Sequence, residues 1–266
     1  MPSIPEEPVL LLTREPNSAA TVTLNRPNRR NALDAELVEE LLETFTTLAR
    51  SDVRVVFLRG AGEVFCAGAD LSWMRAALNL DEAANHADAL ALARMLKALR
   101  DLPALTVALV HGSAFGGGAG LVAACDLAIA TADTRFSFSE VKLGLIPATI
   151  APHVVRAIGP RHAKRFFATG EVFRAATAER IGLISDVAGN ERALASAAAA
   201  LAADVAACAP GAVRDAKRLV EDMVAAGFDD DVLHDTARRI AAARVGAEGQ
   251  EGVRAYLEKR RPTWWS

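Results

Sequence analysis

Two glycine-bearing turns carry the strongest chemical signal in this chain. Cys66-Ala67-Gly68-Ala69-Asp70 and Gly116-Gly117-Gly118 set residues of little bulk where backbone can approach a ligand and aim its N–H groups at it. The second turn follows an apolar run ending at Val110 and opens an apolar helix, which adds the positive end of a helix dipole. Two such turns can form an oxyanion hole, a cradle for negative charge made of backbone alone. The same glycines can equally be tight connections that hold no ligand. Other chemistries find less support. Gly60-Ala61-Gly62-Glu63-Val64-Phe65 lacks the third glycine of a dinucleotide fingerprint and runs into another turn, and no GxxxxGK[ST] is present. The 5 histidines include no His-x-x-x-His pair, and Cys66, Cys125 and Cys208 include no CxxC, so no metal site is implied.

Composition bounds what those turns can serve. With 266 residues, 52% hydrophobic and 24% charged, the chain can bury a substantial core. A formal net charge of -3 gives no uniform field for wrapping nucleic acid or coating an anionic membrane. Three dispersed cysteines suit a reducing cytoplasm rather than a disulfide framework. The opening residues, with Pro2, Pro5 and Glu6-Glu7, lack the basic and apolar regions of a secretory signal, and no apolar run is long enough to span a bilayer. A soluble cytoplasmic protein with neither nucleic-acid nor membrane partners is expected.

The elements around the turns read as follows. Val9 to Thr13 and Ala20 to Leu24 form a hairpin across Glu15-Pro16-Asn17-Ser18. Leu37, Leu41, Leu42, Phe45 and Leu48 recur at helical spacing, and Val53 to Leu58 is a buried strand ending at Gly60. This ββαβ opening then repeats loosely. A helix runs from about Asp81 to Arg100, a strand from Ala104 to Val110, a short helix through Leu121, and strands from Leu127 to Ala130 and Phe136 to Phe138. From about Pro160 the pattern becomes almost pure helix: Ala193 to Ala209, Ala212 to Ala226, Asp231 to Ala243 and Gln250 to Lys259. Leu194, Leu201 and Val205 give the alanine-rich segment an apolar stripe. An α/β core with a helical tail is expected.

Several motifs, in order, then resemble one family. Leu24-Asn25-Arg26-Pro27 with Asn31-Ala32-Leu33 comes first, and Phe65-Cys66-Ala67-Gly68-Ala69-Asp70-Leu71 follows. Gly116-Gly117-Gly118 with Cys125-Asp126 and Glu140-Val141-Lys142-Leu143-Gly144-Leu145-Ile146-Pro147 come next, and Glu251-Gly252 with Tyr256-Leu257-Glu258-Lys259-Arg260 closes the series. Over nearly its whole length the chain resembles the enoyl-CoA hydratases and isomerases, the crotonase-like enzymes. The resemblance implies an α/β, crotonase-like spiral of ββα units over 1–195 and a helical trimerisation region over 196–266. It implies a homotrimer or dimer of trimers, an acyl-CoA substrate and no prosthetic group, coenzyme A arriving as part of the substrate.

By motif position the resemblance implies that the N–H groups of Ala69 and Gly117 hold the thioester oxygen, with Gly68, Gly116 and Gly120 shaping the turns and Leu71 and Asp70 flanking them. Proton transfer beside a thioester carbonyl passes through an enolate-like state whose oxygen gathers charge, and fixed donors stabilise that state. The adenine end of coenzyme A would run along Arg26 to Ala32 and Ala67, with Arg29 and Arg30 as phosphate partners. The chain departs from many relatives here by carrying Asn28 in place of a lysine. Tyr256 and Lys259 match residues that in relatives reach the coenzyme A of a neighbouring subunit, or they simply end an amphipathic helix.

Hydratases of the family usually carry two glutamates. In this chain Gly120 stands at the first position and only the second, Glu140, is present. A lone glutamate after a strand is ordinarily a solvated group, and its place in the motif is what makes Glu140 the catalytic candidate. One carboxylate can shuttle a proton between C2 and C4 of an enoyl thioester, which is isomerisation. The segment Gly144 to Pro152 instead resembles the branch of 3-methylglutaconyl-CoA and isohexenylglutaconyl-CoA hydratases, where hydration would run on Glu140 alone. Thr149, His153 and Arg135 are candidates to meet a second substrate carboxylate, His153 being read chiefly as a solvent-facing first-turn residue. Asp70 is read as holding its turn, and Ser72 to Ala87, with Trp73 and Met74, as shaping the acyl pocket. A coenzyme A-binding scaffold without catalysis, and another thioester reaction such as decarboxylation or hydrolysis on the same fold, are the further alternatives.

Overall fold

The computed structural model describes residues 8–15 and 18–265. Residues 1–7, Pro16, Asn17 and Ser266 lie outside these, and with them the reading of the N-terminus and the centre of the hairpin turn.

Strands β1 (Leu10–Arg14) and β2 (Ala19–Leu24) pair antiparallel, with Leu10 opposite Leu24. Helix α1 (Ala35–Leu48) starts where the Asp34 side chain accepts the Leu37 N–H at 3.1 Å, and it buries Leu37, Val38, Leu41, Phe45 and Leu48. Strand β3 (Val55–Gly60) follows, then α2 (Leu71–Ala77), α3 (Glu82–Arg100), β4 (Leu105–Val110), β5 (Ser113–Phe115) and α4 (Gly117–Ala124). Next come β6 (Leu127–Thr131), β7 (Arg135–Ser137), a 3-10 turn (Glu140–Leu143) and α5 (Ala151–Thr169), which is interrupted at Gly159-Pro160. The chain ends with β8 (Phe173–Arg174), α6 (Ala175–Arg180), β9 (Asp186–Ala188), α7 (Glu191–Ala206), α8 (Pro210–Ala225), α9 (Asp230–Val245) and α10 (Ala247–Leu257).

The main sheet has the order β1-β2-β3-β4-β6-β9, parallel from β2 onward, and a second sheet has the order β5-β7-β8. The central strands β3, β4 and β6 are buried on both faces, which is why they read as largely apolar runs, whereas the edge strand β1 is mostly exposed. Side chains alternate along each strand. Val56, Leu58, Ala108 and Val110 join the core under α1, α3 and α4, while Val55, Phe57, Val107 and Leu109 face α7. The alanine-rich segment is thus a packed helix: Leu194, Ala198, Ala202 and Val205 face the sheet and Leu201 flanks them.

Three expectations change. The stretch after Pro160 is not pure helix, because β8 and β9 intervene; at 2 and 3 residues they are too short to show a period. Strand β5 also escapes the sequence pattern, and the stretch from Ser72 contains α2 and the start of α3, with the Trp73 indole donating to Asp88 at 2.6 Å. His153 is buried, 7% exposed, rather than solvent-facing.

Asn31 ties the first turn to the sheet. It is fully buried with φ 53°, its amide donates to the carbonyls of Ala61 and Val64 at 2.8 and 2.9 Å, and its oxygen accepts the Arg26 N–H at 2.9 Å. Asn31→Ala strands these three backbone groups and is expected to cost about 3 kcal/mol or more in urea unfolding, with an unchanged m-value.

Candidate active site

The two glycine turns are brought together by single backbone bridges rather than by strands. Leu33 accepts the Asp70 N–H at 2.8 Å and donates to Gly68 O at 2.7 Å, a parallel bridge that leaves the N–H of Ala69 pointing away from Leu33. Cys66 likewise donates to Ser113 O at 3.1 Å and accepts from Phe115 N at 3.0 Å. Between these bridges the backbones nearly touch. A Cβ on Gly68, whose φ is +98°, would lie 3.0 Å from Phe115 O, and one on Gly118 would lie 2.6 Å from Cys66 O. Gly116, at φ +49°, leads into α4, so the N–H of Gly117 is one of the first-turn donors that a helix leaves without an internal partner.

Glu140 completes the constellation. A Cβ on Gly116 would sit 3.3 Å from Glu140 Oε1 and 4.0 Å from Gly68 Cα, so the carboxylate and both glycine turns meet at one point. Its Oε2 is buried with no hydrogen-bond partner among the described residues. Burial leads the causes that push the Glu140 carboxyl above its ordinary range, opposed by a hydrogen bond from its own backbone. Backbone donors on one side and a basic, desolvated carboxylate on the other can stabilise an oxyanion and move a proton beside it. Cys66, directly beneath, takes no such part: burial pushes its thiol up to about 12.

The remaining candidates separate. The Arg26 side chain is buried, paired with Asp34 at 2.5 Å, donating to Ala32 O at 3.1 Å and reaching within 3.8 Å of Asp70 beside the first glycine turn. Arg29 and Arg30 remain exposed, and Ala67 lies against them through a hydrogen bond from its N–H to Arg30 O at 3.0 Å. Asp70 caps α2, accepting Ser72 N at 2.8 Å as well as the Ser72 hydroxyl, with Arg29 3.5 Å away. The hydroxyl hydrogen bond, first among the causes, holds its carboxyl below the usual range, so Asp70 holds the turn. Leu71 stands 79% exposed at the start of α2. Tyr256 is exposed on α10 and Lys259 follows it at φ +54°.

His153 belongs elsewhere. It lines a separate cleft of 430 Å³ with Arg100, Cys125, Asp126, Lys217 and Glu221, where desolvation, then Arg100, lower its pKa. Gly120 is roofed: a Cβ there would fall 2.2 Å from Ile150 Cγ2 and 2.9 Å from its Cβ. Ile150 was missed by the sequence reading, since an isoleucine before a helix carries no mark of its function.

Comparison with known proteins accords with this geometry. Residues 14–266 match the model of the family described as enoyl-CoA hydratase/isomerase. The chain belongs to the enoyl-CoA hydratase/isomerase family. A Thermus thermophilus protein that carries the enoyl-CoA hydratase name provisionally is 37% identical over 249 residues, 93% of this chain and 98% of that protein. The crystal structure of an enoyl-CoA hydratase from Shewanella pealeana superposes with a TM-score of 0.93 at 38% identity, covering 97% of each chain. Pseudomonas aeruginosa AtuE gives 0.92 at 37% identity over 97% of this chain and 100% of its own. The protein is therefore a crotonase-fold enzyme, of a family that acts on coenzyme A thioesters without a prosthetic group.

The elevated carboxyl gives this hydratase/isomerase-family enzyme a pH signature. The folded state holds the Glu140 proton above pH 4.5, the ordinary value, so its ionisation costs stability as pH rises from 4.5 through the folded value. Glu140→Gln is expected to raise the melting temperature at pH 7 to 8, and the gain should vanish below pH 4.5.

Proposed function

We propose that this enzyme adds water across the double bond of an α,β-unsaturated acyl-CoA, with Glu140 as the only carboxylate in the chemistry. The observation that carries the reading is the desolvated Glu140 carboxylate set against Gly116, beside the Ala69 and Gly117 N–H groups. Glu140 takes a proton from water as the water oxygen bonds to C3. The π electrons move onto the thioester oxygen, which the two N–H groups hold. The enolate then reforms its carbonyl as Glu140 returns the proton to C2, so the net change is addition of one water.

The substrate reading is a β-branched acyl group of the 3-methylglutaconyl kind, supported by the Gly144 to Pro152 segment. Of the residues considered for its second carboxylate, Thr149 and Arg135 stay as candidates, and His153 is withdrawn to its separate cleft. Coenzyme A would lie along Arg26 to Ala32 and Ala67, its phosphates toward the exposed Arg29 and Arg30. A second reading, migration of the double bond between C3 and C2 with Glu140 as shuttle, is favoured by Ile150 filling the space at Gly120, which leaves no room there for a second acid.

Purified enzyme is expected to hydrate crotonyl-CoA or 3-methylglutaconyl-CoA, with kcat falling about 10²-fold or more in Glu140→Gln. The acid limb of kcat/KM should lie above pH 4.5, because Glu140 must be ionised to accept the proton of water. Migration of the double bond in a 3-enoyl-CoA without hydration would replace this reading with the second. Tight coenzyme A binding without turnover would leave a scaffold.

The helical tail supports an assembly. Helices α8 and α9 bury no residue within the chain, and Val220, Val224, Phe228, Ile240, Val253 and Leu257 are each more than half exposed. A homotrimer or a dimer of trimers is the expected mass by sedimentation equilibrium, and a monomer at micromolar concentration would overturn it. All three cysteines are free thiols, which supports a cytoplasmic location.

A further inference from the structure

Glu140 occupies a position that should be costly to hold. Its Oε2 is buried without a partner among the described residues, and a carboxylate in that state gains by turning out to water. The segment that carries it is mostly exposed. Leu143, Leu145 and Ile146 are 61%, 55% and 75% exposed, and the backbone bonds of Lys142, Gly144, Leu145 and Ala148 stay within the segment. Packing against its neighbours must therefore hold it, and two contacts with α4 stand out.

The first is Glu140 itself on Gly116. The second is Ile150, 2% exposed at the start of α5, whose Cγ2 and Cβ fill the place of a side chain on Gly120. Gly116 and Gly120 are joined by an N–H to O bond of 3.0 Å, one helical turn apart on the same face, about 6 Å along the axis. Both ends of the 140–150 segment are thus seated in hollows on one face of α4, and each hollow exists because the residue there has no Cβ.

We infer that Ile150, seated over Gly120, is a positioning residue that holds the Glu140 carboxylate against Gly116. The inference rests on the reading of Glu140 as the proton-transfer group. The charged groups around the carboxylate do not supply the restraint. Helix α4 bears no charged residue, Asp70 is tied to Ser72 and Arg29, Lys142 lies along Gly170, and Lys164 of α5 borders the groove that Val141 lines. Steric seating is what remains, and it acts at a distance of one helical turn from the proton it controls.

The test compares Gly120→Ala, Ile150→Ala, Ile150→Val and the Gly120→Ala/Ile150→Ala pair. The Glu140 pKa is read by carbon-13 NMR titration, with Glu140→Gln identifying the signal, and kcat and KM are read on crotonyl-CoA. Gly120→Ala should push Ile150 outward, lower the Glu140 pKa toward the ordinary range and cut kcat about tenfold or more, with KM within about twofold. Ile150→Val keeps Cγ2 and should titrate like the parent. Ile150→Ala removes Cγ2, should lower the pKa less than Gly120→Ala does, and when added to Gly120→Ala should bring pKa and kcat back toward the parent. An unchanged Glu140 pKa in folded Gly120→Ala, or no relief in the pair, overturns the inference. Should Gly120→Ala fail to fold, an unchanged pKa in Ile150→Ala overturns it as well. If the parent turns over no enoyl thioester, the hydratase reading falls, while the titrations still decide whether Ile150 positions Glu140.

Discussion

Everything at this site depends on how closely two stretches of backbone can approach. The Gly68 and Gly116 turns come within van der Waals reach of each other and of one carboxylate, and side-chain carbons on either glycine would crowd a carbonyl or the carboxylate itself. The approach is fixed by single-residue bridges from Leu33 to Ala69 and from Cys66 to Ala114. Those bridges in turn hang on the parallel sheet, because β3 delivers the first turn and β4 the second at neighbouring positions along its edge. The sheet can be parallel and flat-sided because α1, α3 and α4 cover one face and the thin alanine face of α7 covers the other.

Electrostatics follows from the same closeness. Where backbone fills the space, water has little room, and Glu140 is left with a buried oxygen that has no hydrogen-bond partner among the described residues. Its affinity for a proton rises as a direct result. Asp70, only a few residues from the first turn, meets the opposite fate, since Ser72 and Arg29 satisfy it. Two acids near one site thus take different states from their surroundings, one able to exchange a proton and one fixed as an anion.

Much of this was legible in the residues, and what was not has identifiable causes. The glycine turns announced themselves through spacing, and α1 through Leu37, Leu41, Leu42, Phe45 and Leu48 at helical spacing. Strands of two or three residues such as β8 and β9 cannot display a period, so the C-terminal third read as helix alone. Glu140 looked like any surface glutamate until the motif around it was considered. The burial of His153 could not be read locally, because the chain that covers it, around Arg100 and Lys217, is distant in sequence. Ile150 was invisible for the same reason: its significance comes from a glycine thirty residues earlier, and no local pattern links the two.

The donors proposed to act with Glu140, the N–H groups of Ala69 and Gly117, belong to the main chain, and this has a consequence for how the site can vary. Substitution cannot delete an amide hydrogen, short of proline, so the charge-stabilising half of the machinery is inherited with the backbone path rather than with any particular letter of the sequence. An acid could then change in number or placement, as at Gly120, whose side-chain space Ile150 fills in this chain, without any change in the backbone path of the two turns. Selection on such a scaffold acts through excluded volume as much as through functional groups. Gly118 and Gly120, where a Cβ would fall 2.6 and 2.2 Å from a neighbouring atom, are positions that must remain small.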